Sequence, residues 1–211
     1  MKLRLKYTII AAAALLSTCA ARGQAMPAAG PGSHRLEIGG AIDGQYTSSV
    51  TSQIFAATNG ALEPHQATTD SAGGLFTVRE RLLNWASVEA NYGYTRFSER
   101  FFLRNSNVFL DTSMHEATGA VVLQRHLRRI SPYIGIGGGG LSFVRSNRYT
   151  NQWRDAGLFD IGADMQTKSQ LGFRVGAREL LYRAPNFYNA GLSSSRWAGT
   201  SEPYVGVYLK F

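Results

Sequence analysis

The groups best suited to chemistry in this chain are Ser113, His115 and Glu116, a hydroxyl, an imidazole and a carboxylate within four positions. Those are the three functions of a nucleophilic triad, and a lipid-modifying enzyme would need a set of this kind. In a serine-rich chain such triplets arise by spacing alone, and a triad is defined by geometry rather than proximity in sequence. No catalytic residue is assigned and the chain is read as a non-enzyme. A second pattern is Gly135-Ile136-Gly137-Gly138-Gly139-Gly140, which fits G-x-G-x-x-G, with Asp160 twenty residues on. The dinucleotide reading needs a helix after the last glycine, so that its N-terminus meets the pyrophosphate. Leu141-Ser142-Phe143-Val144 follows instead and reads as strand. The remaining histidines, His34, His65 and His126, have no ligand spacing to each other or to His115. No cofactor and no metal site is expected.

The start of the chain bears on where such chemistry could operate. Lys2, Arg4 and Lys6 precede an apolar run from Tyr7 to Leu16, and small residues continue to Ala25. This is the plan of a secretory signal peptide, residues 1–25, with cleavage after Ala25. Leu16-Ser17-Thr18-Cys19 offers a lipoprotein-type alternative. Cys19 is the only cysteine, so cleavage after Ala25 leaves no disulfide and no thiol ligand. Loss of Lys2, Arg4, Lys6 and Arg22 lowers the formal charge from +8 to +4. An exported, mildly basic protein is no candidate for binding nucleic acid. Residues 26–34 are expected to form a short periplasmic segment, and residues 35–211 one domain.

Period-2 alternation marks eight candidate strands: 35–46, 74–82, 86–97, 114–124, 132–144, 158–166, 171–182 and 203–211. The connections between them alternate long, short, long, short, long, short, long. Long loops on one rim and tight turns on the other describe a transmembrane barrel. No segment after residue 25 has the roughly 18 apolar residues of a spanning helix, so a membrane crossing must use a closed sheet. The expected fold is all-β: an eight-stranded antiparallel up-and-down transmembrane β-barrel.

Strand 171–182 fixes the facing. Leu171, Phe173, Val175, Ala177 and Leu181 would face lipid, and Arg174 and Arg178 the interior. The opposite facing would put both arginines in hydrocarbon, at about 2–4 kcal/mol each near the midplane. The same argument places Arg35, Glu37, Asp43, Glu89, Asp160, Asp164 and Lys210 inside, with Arg79 and Arg81 as further candidates. Both signs are present, so a structural network of ion pairs filling the lumen is expected. Tyr46, Trp85, Tyr92, Tyr94, Phe97, Phe159, Tyr182 and Phe211 lie towards strand ends, where aromatic girdles form.

The final nine residues, Pro203 to Phe211, place Val205, Val207, Leu209 and Phe211 on one face and end on an aromatic. That row reads as a C-terminal signal for the barrel-assembly machinery. His115-Glu116-Ala117-Thr118-Gly119-Ala120, Pro132-Tyr133 leading into Gly137-Gly138-Gly139, Tyr182-Arg183-Ala184-Pro185-Asn186-Phe187 and the Glu202-to-Phe211 terminus together resemble the outer-membrane β-barrel domain family, of the OmpA-like or OmpX-like eight-stranded kind. The resemblance implies the bacterial outer membrane, with outer-membrane lipid and the assembly machinery as partners. It implies a structural or surface-interaction role, with loops that could meet an extracellular ligand. It carries over no catalytic residue. A narrow conduit for small solutes, a lipid-modifying barrel enzyme and a soluble secreted β-sandwich are the alternatives.

Overall fold

The computed structural model describes residues 35–51, 54–56, 60–62, 65–103, 106–146, 151–167, 169–185, 187 and 196–211. The expected signal peptide and periplasmic segment lie outside these residues. Eight long strands form the body: β1 (Leu36–Thr47), β2 (Ser71–Leu83), β3 (Ala86–Leu103), β4 (Ser106–Gln124), β5 (Ile130–Arg145), β6 (Asn151–Gln166), β7 (Leu171–Arg183) and β8 (Trp197–Lys210). Each pairs antiparallel with its neighbours in sequence, and β1 also pairs with β8, from Glu37 opposite Lys210 to Thr47 opposite Thr200. The sheet therefore meets itself, and no long strand keeps a free edge. At the seam Phe211 donates its N–H to the Leu36 carbonyl (2.8 Å) and accepts from Arg35 (3.0 Å) and Leu36 (3.3 Å).

Side-chain burial alternates along the strands, as a two-residue period on a closed sheet demands. In β7 the odd positions 171 to 183 are exposed, apart from half-buried Glu179. Gly172, Arg174, Arg178, Leu180 and Tyr182 are buried. The outer surface is an apolar belt that includes Ile42, Phe76, Ile136, Ile161, Val175 and Val205; Ile42 and Ile136 are each 70% exposed. Isolated apolar residues are normal on a protein surface, but a continuous belt marks contact with an apolar phase. Tyr46, Trp85, Tyr92, Tyr94, Phe159 and Phe211 are exposed among the belt residues. Tyr182 and Phe97 do not join this outward set. Tyr182 is buried in the lumen, where it shares a hydrogen bond with Thr200 (2.9 Å), and Phe97 packs edge-on against buried Phe143.

The strands outrun the sequence-based boundaries at the long-loop rim. The expected 98–113 connection is instead a continuous ladder of β3 with β4, reaching Leu103 opposite Ser106. Strand β6 begins at Asn151, inside the expected 145–157 loop, and β8 begins at Trp197, inside the expected 183–202 loop. Four short strands, Val50–Thr51, Ile54–Ala56, Gly60–Leu62 and His65–Thr68, occupy the expected 47–72 connection. Beyond the hydrocarbon both faces of a strand meet water, so ladder hydrogen bonds persist while the apolar alternation disappears. At the other rim the turns are tight: Asn84 and Trp85, then residues 125–129, then the short link after Gln166.

Candidate functional site

The lumen holds the chain's dense cluster of buried charge, supplied by alternate residues of β1 to β4 and β6 to β8. Near the short-turn rim, Arg79 of β2 donates to Glu89 of β3 (2.7 Å) and, across the interior, to Asp164 of β6 (2.9 Å). Arg174 of β7 binds Asp164 (2.7 Å) and Glu37 of β1 (3.0 Å). Arg81 reaches Glu37 more loosely (3.5 Å), and Asn91 donates to Glu89 (2.9 Å). The Arg79 guanidinium also lies 4.6 Å from the Tyr133 ring centroid, and that of Arg174 lies 5.0 Å from the Tyr208 centroid. Further up, Arg178 binds both Glu116 oxygens (3.2 and 2.7 Å) and also Glu202. Thr118 donates to Glu116 (2.6 Å). Buried charges are tolerated when each finds opposite charge and hydrogen bonds, and charge-assisted pairs of this kind fix geometry.

Of the residues singled out in the sequence, Glu37, Glu89, Asp164, Arg174 and Arg178 meet in these pairs, as does the further candidate Arg79. Asp160 is buried but accepts from the Tyr204 hydroxyl (3.0 and 3.1 Å), which also bonds the Tyr133 hydroxyl. Asp43 is buried and accepts from Gln45 (3.1 Å). Lys210 is half-buried, with its ammonium 5.6 Å from the Tyr208 ring centroid. Arg35 lies elsewhere: it precedes β1 and is exposed at the rim. Glu116 and Glu202 are members that sequence reasoning missed. Glu202 fell in a segment read as loop, although its register partner Arg178 was already placed inside.

Towards the long-loop rim an apolar cluster fills part of the lumen, beside buried Glu99, Thr112 and Gln152. Met114, Leu141, Phe143, Ala156, Leu158, Leu180 and Ala198 pack together, and Phe187 covers them from the connection after β7. Phe187 turns back through a left-handed backbone (φ 47°), and its N–H donates to Gln152 (2.8 Å). A lumen cavity bounded in part by Glu89, Asp160, Arg174 and Tyr204 has a volume of about 10 Å³. A single water needs about that much.

The Ser113, His115 and Glu116 set is not assembled. Successive residues of a strand face opposite sides. Glu116 points inward to Arg178, while His115 points outward and shares a hydrogen bond with the Tyr92 hydroxyl (2.8 Å). The Gly135–Gly140 stretch lies wholly within β5. At Gly137 a Cβ would stand 1.9 Å from the Gly119 carbonyl oxygen, so its role is close approach of β4 and β5. Elsewhere glycine makes room for tyrosine: Gly162, Gly172 and Gly176 lie under Tyr133, Tyr208 and Tyr204, each the directly opposed residue on the next strand.

The short-turn rim carries a separate feature. Residues Arg125, His126, Leu127, Arg128 and Arg129 join β4 to β5. Leu127 and Ile130 exchange two backbone hydrogen bonds (2.9 and 2.7 Å) around Arg128 and Arg129. Arg128 has φ 35°, a conformation that costs a side chain on the order of 1 kcal/mol relative to glycine. His126 shares hydrogen bonds with Ser131 (2.9 Å) and Gln124 (3.1 Å). Partial burial lowers its pKa below the ordinary histidine value, and the nearby Arg81 charge lowers it further.

No protein-family model and no curated protein sequence matches the chain. Solved structures do. Neisserial surface protein A superposes with a TM-score of 0.55 at 12% identity, covering 83% of this chain and 97% of that one. The outer membrane protein OprG from Pseudomonas aeruginosa superposes with a TM-score of 0.60 at 14% identity, covering 85% and 96%. At such identities the likeness speaks to architecture. With its seam, its apolar belt and these neighbours, the chain has the fold of the eight-stranded bacterial outer-membrane β-barrels.

Proposed function

We propose that this protein is a non-catalytic integral barrel of the bacterial outer membrane, of the OmpA-like or OmpX-like kind, acting as a structural anchor that presents its long loops at the cell surface. The observation that carries this reading is the Arg79–Asp164 pair, which spans the interior from β2 to β6 at 2.9 Å. With Arg174, Glu37 and Glu89 it blocks a solute path, and the apolar packing under Phe187 blocks it again. Under this reading the lumen charges hold the wall together rather than select an ion. The lipid-facing row Val205, Val207, Leu209 and Phe211 serves recognition by the assembly machinery. The loops meet whatever surface partner the protein has.

Membrane fractionation tests the location, with the protein expected in the outer-membrane fraction and heat-modifiable on gels. Conductance in planar bilayers tests the role: a silent bilayer is expected, and discrete single-channel steps would replace the anchor reading with a conduit. Lipid A profiles are expected to be the same with and without the protein.

A further inference from the structure

The short-turn rim holds three cations that the barrel does not use. Arg125, Arg128 and Arg129 are exposed, and none of them forms an ion pair among the described residues. The lumen arginines behave oppositely: Arg79, Arg174 and Arg178 each bind two or more carboxylates. The turn is also held firmly. Besides the Leu127–Ile130 bonds, Arg125 donates its N–H to the Pro132 carbonyl (3.0 Å) and the Arg129 carbonyl accepts from Gln166 (2.8 Å). Arg128 occupies a left-handed position that glycine fills without strain. An observed backbone outlier is a pointer to function, because the strain persists only where something offsets it. Here the side chain kept at that cost is a guanidinium facing outward.

The surroundings identify the partner. Leu127 and Ile130 flank the arginines and are about half exposed. The N–H of Gln124 donates to the Trp85 carbonyl (2.9 Å), which sets the exposed indole turn, with Leu82 and Leu83, beside Arg125. Unpaired cations directly bordering exposed apolar and aromatic residues fit the boundary between headgroups and hydrocarbon. A soluble acidic partner would match the charge and leave the apolar border uncovered. A zwitterionic headgroup brings its own cation and leaves three guanidinium groups uncompensated. We propose that the 125–129 turn is a binding site for the headgroups of anionic phospholipids in the leaflet at the short-turn rim. The site rests on the outer-membrane reading above and adds a ligand class to it.

The test reconstitutes the protein in nanodiscs of equimolar phosphatidylcholine and phosphatidylglycerol, then counts retained lipids by native mass spectrometry. Phosphatidylglycerol should be retained in preference, by roughly fivefold for each arginine engaged. The R125Q/R128Q/R129Q variant should retain the two lipids equally while keeping its heat-modifiable gel shift. R128G, which removes one cation and the backbone strain together, should fold at least as well and lose about fivefold of the preference; it carries the test if the triple variant folds poorly. R96Q/R100Q, at the opposite rim, should keep the preference. Equal retention by the unaltered protein, or an undiminished preference in R128G and the triple variant, overturns the site. A protein that fails to enter bilayers at all would instead overturn the outer-membrane reading.

Discussion

The Tyr208 ring lies across Gly172, its directly opposed partner on the neighbouring strand, so closely that a Cβ at Gly172 would stand 2.2 Å from the ring. Tyr204 over Gly176 and Tyr133 over Gly162 repeat the arrangement, and the three hydroxyl-bearing rings fill the space between the ion pairs. Gly172→Ala should therefore displace the Tyr208 ring from the Arg174 guanidinium. We expect a loss of about 1–3 kcal/mol, the usual cost of overpacking, read from urea unfolding in liposomes. Gly74→Ala, where a Cβ meets nothing within 4 Å, should change little.

Arg178 is the cation shared by Glu116 and Glu202, which are 1% and 0% exposed. Arg178→Met leaves two buried carboxylates without their partner, and a loss of about 3–5 kcal/mol is expected. Adding Glu116→Gln and Glu202→Gln removes the stranded charge and should recover much of the loss. Unfolding midpoints of the three proteins decide this; equal midpoints for the single and triple variants would show that the pairs do not hold the wall.

Depth should govern the cost of a charge on the outer face. Ile136→Arg, in the middle of the apolar belt, is expected to cost about 2–4 kcal/mol, and Leu83→Arg, at the rim, about 0–1 kcal/mol. On a soluble β-sandwich both residues would be plain surface positions, and both substitutions would stay within about 0.5 kcal/mol. Unfolding measurements in bilayers therefore separate the two folds by energetics alone.

His126 gives a pH signature outside the membrane. Its folded pKa is lowered by partial burial and then by Arg81, so the folded protein binds fewer protons than the unfolded chain between the two pKa values. The associated stability is complete above the unfolded value, about 6.5, and is lost as pH falls through the folded one. Subtracting the profile of His126→Asn from that of the unaltered protein should leave a term that declines below pH 6.5. A flat difference would show that the hydrogen bonds to Ser131 and Gln124 do not report on folding.

Deleting Phe211 removes three backbone hydrogen bonds at the seam and the last member of the Val205, Val207, Leu209 row. The expected outcome is a sharp fall in heat-modifiable protein in the outer-membrane fraction, with the precursor still exported.

Much of this architecture is legible in the residues. Strand β7 announces its facing because apolar and polar residues alternate with little interruption and the two arginines leave one orientation affordable. Strand β4 does not. Its inward row runs Met114, Glu116, Thr118, Ala120, Val122, and its outward row His115, Ala117, Gly119, Val121, Leu123. Both rows mix polar with apolar, so the parity of Glu116 has no contrast to stand on. Glu202 escaped for another reason. It lies near the part of β8 that leaves the hydrocarbon, where wet surroundings on both sides erase the pattern while the backbone pairing continues. The lumen network was therefore visible where β7 and β1 supply it, and hidden where β4 and the upper part of β8 do.

Strands β3 and β4 run for 18 and 19 residues. At about 3.3 Å per residue and a tilt near 40°, each rises roughly 45 Å along the axis, against a hydrocarbon band of about 25 Å. The surplus carries the wall about 20 Å beyond the hydrocarbon at the long-loop rim, where residues 65–68 add a strand along the outer edge of β3. The outer ends of these strands therefore stand beyond the reach of the acyl chains, and their side chains answer to water and headgroups instead of hydrocarbon.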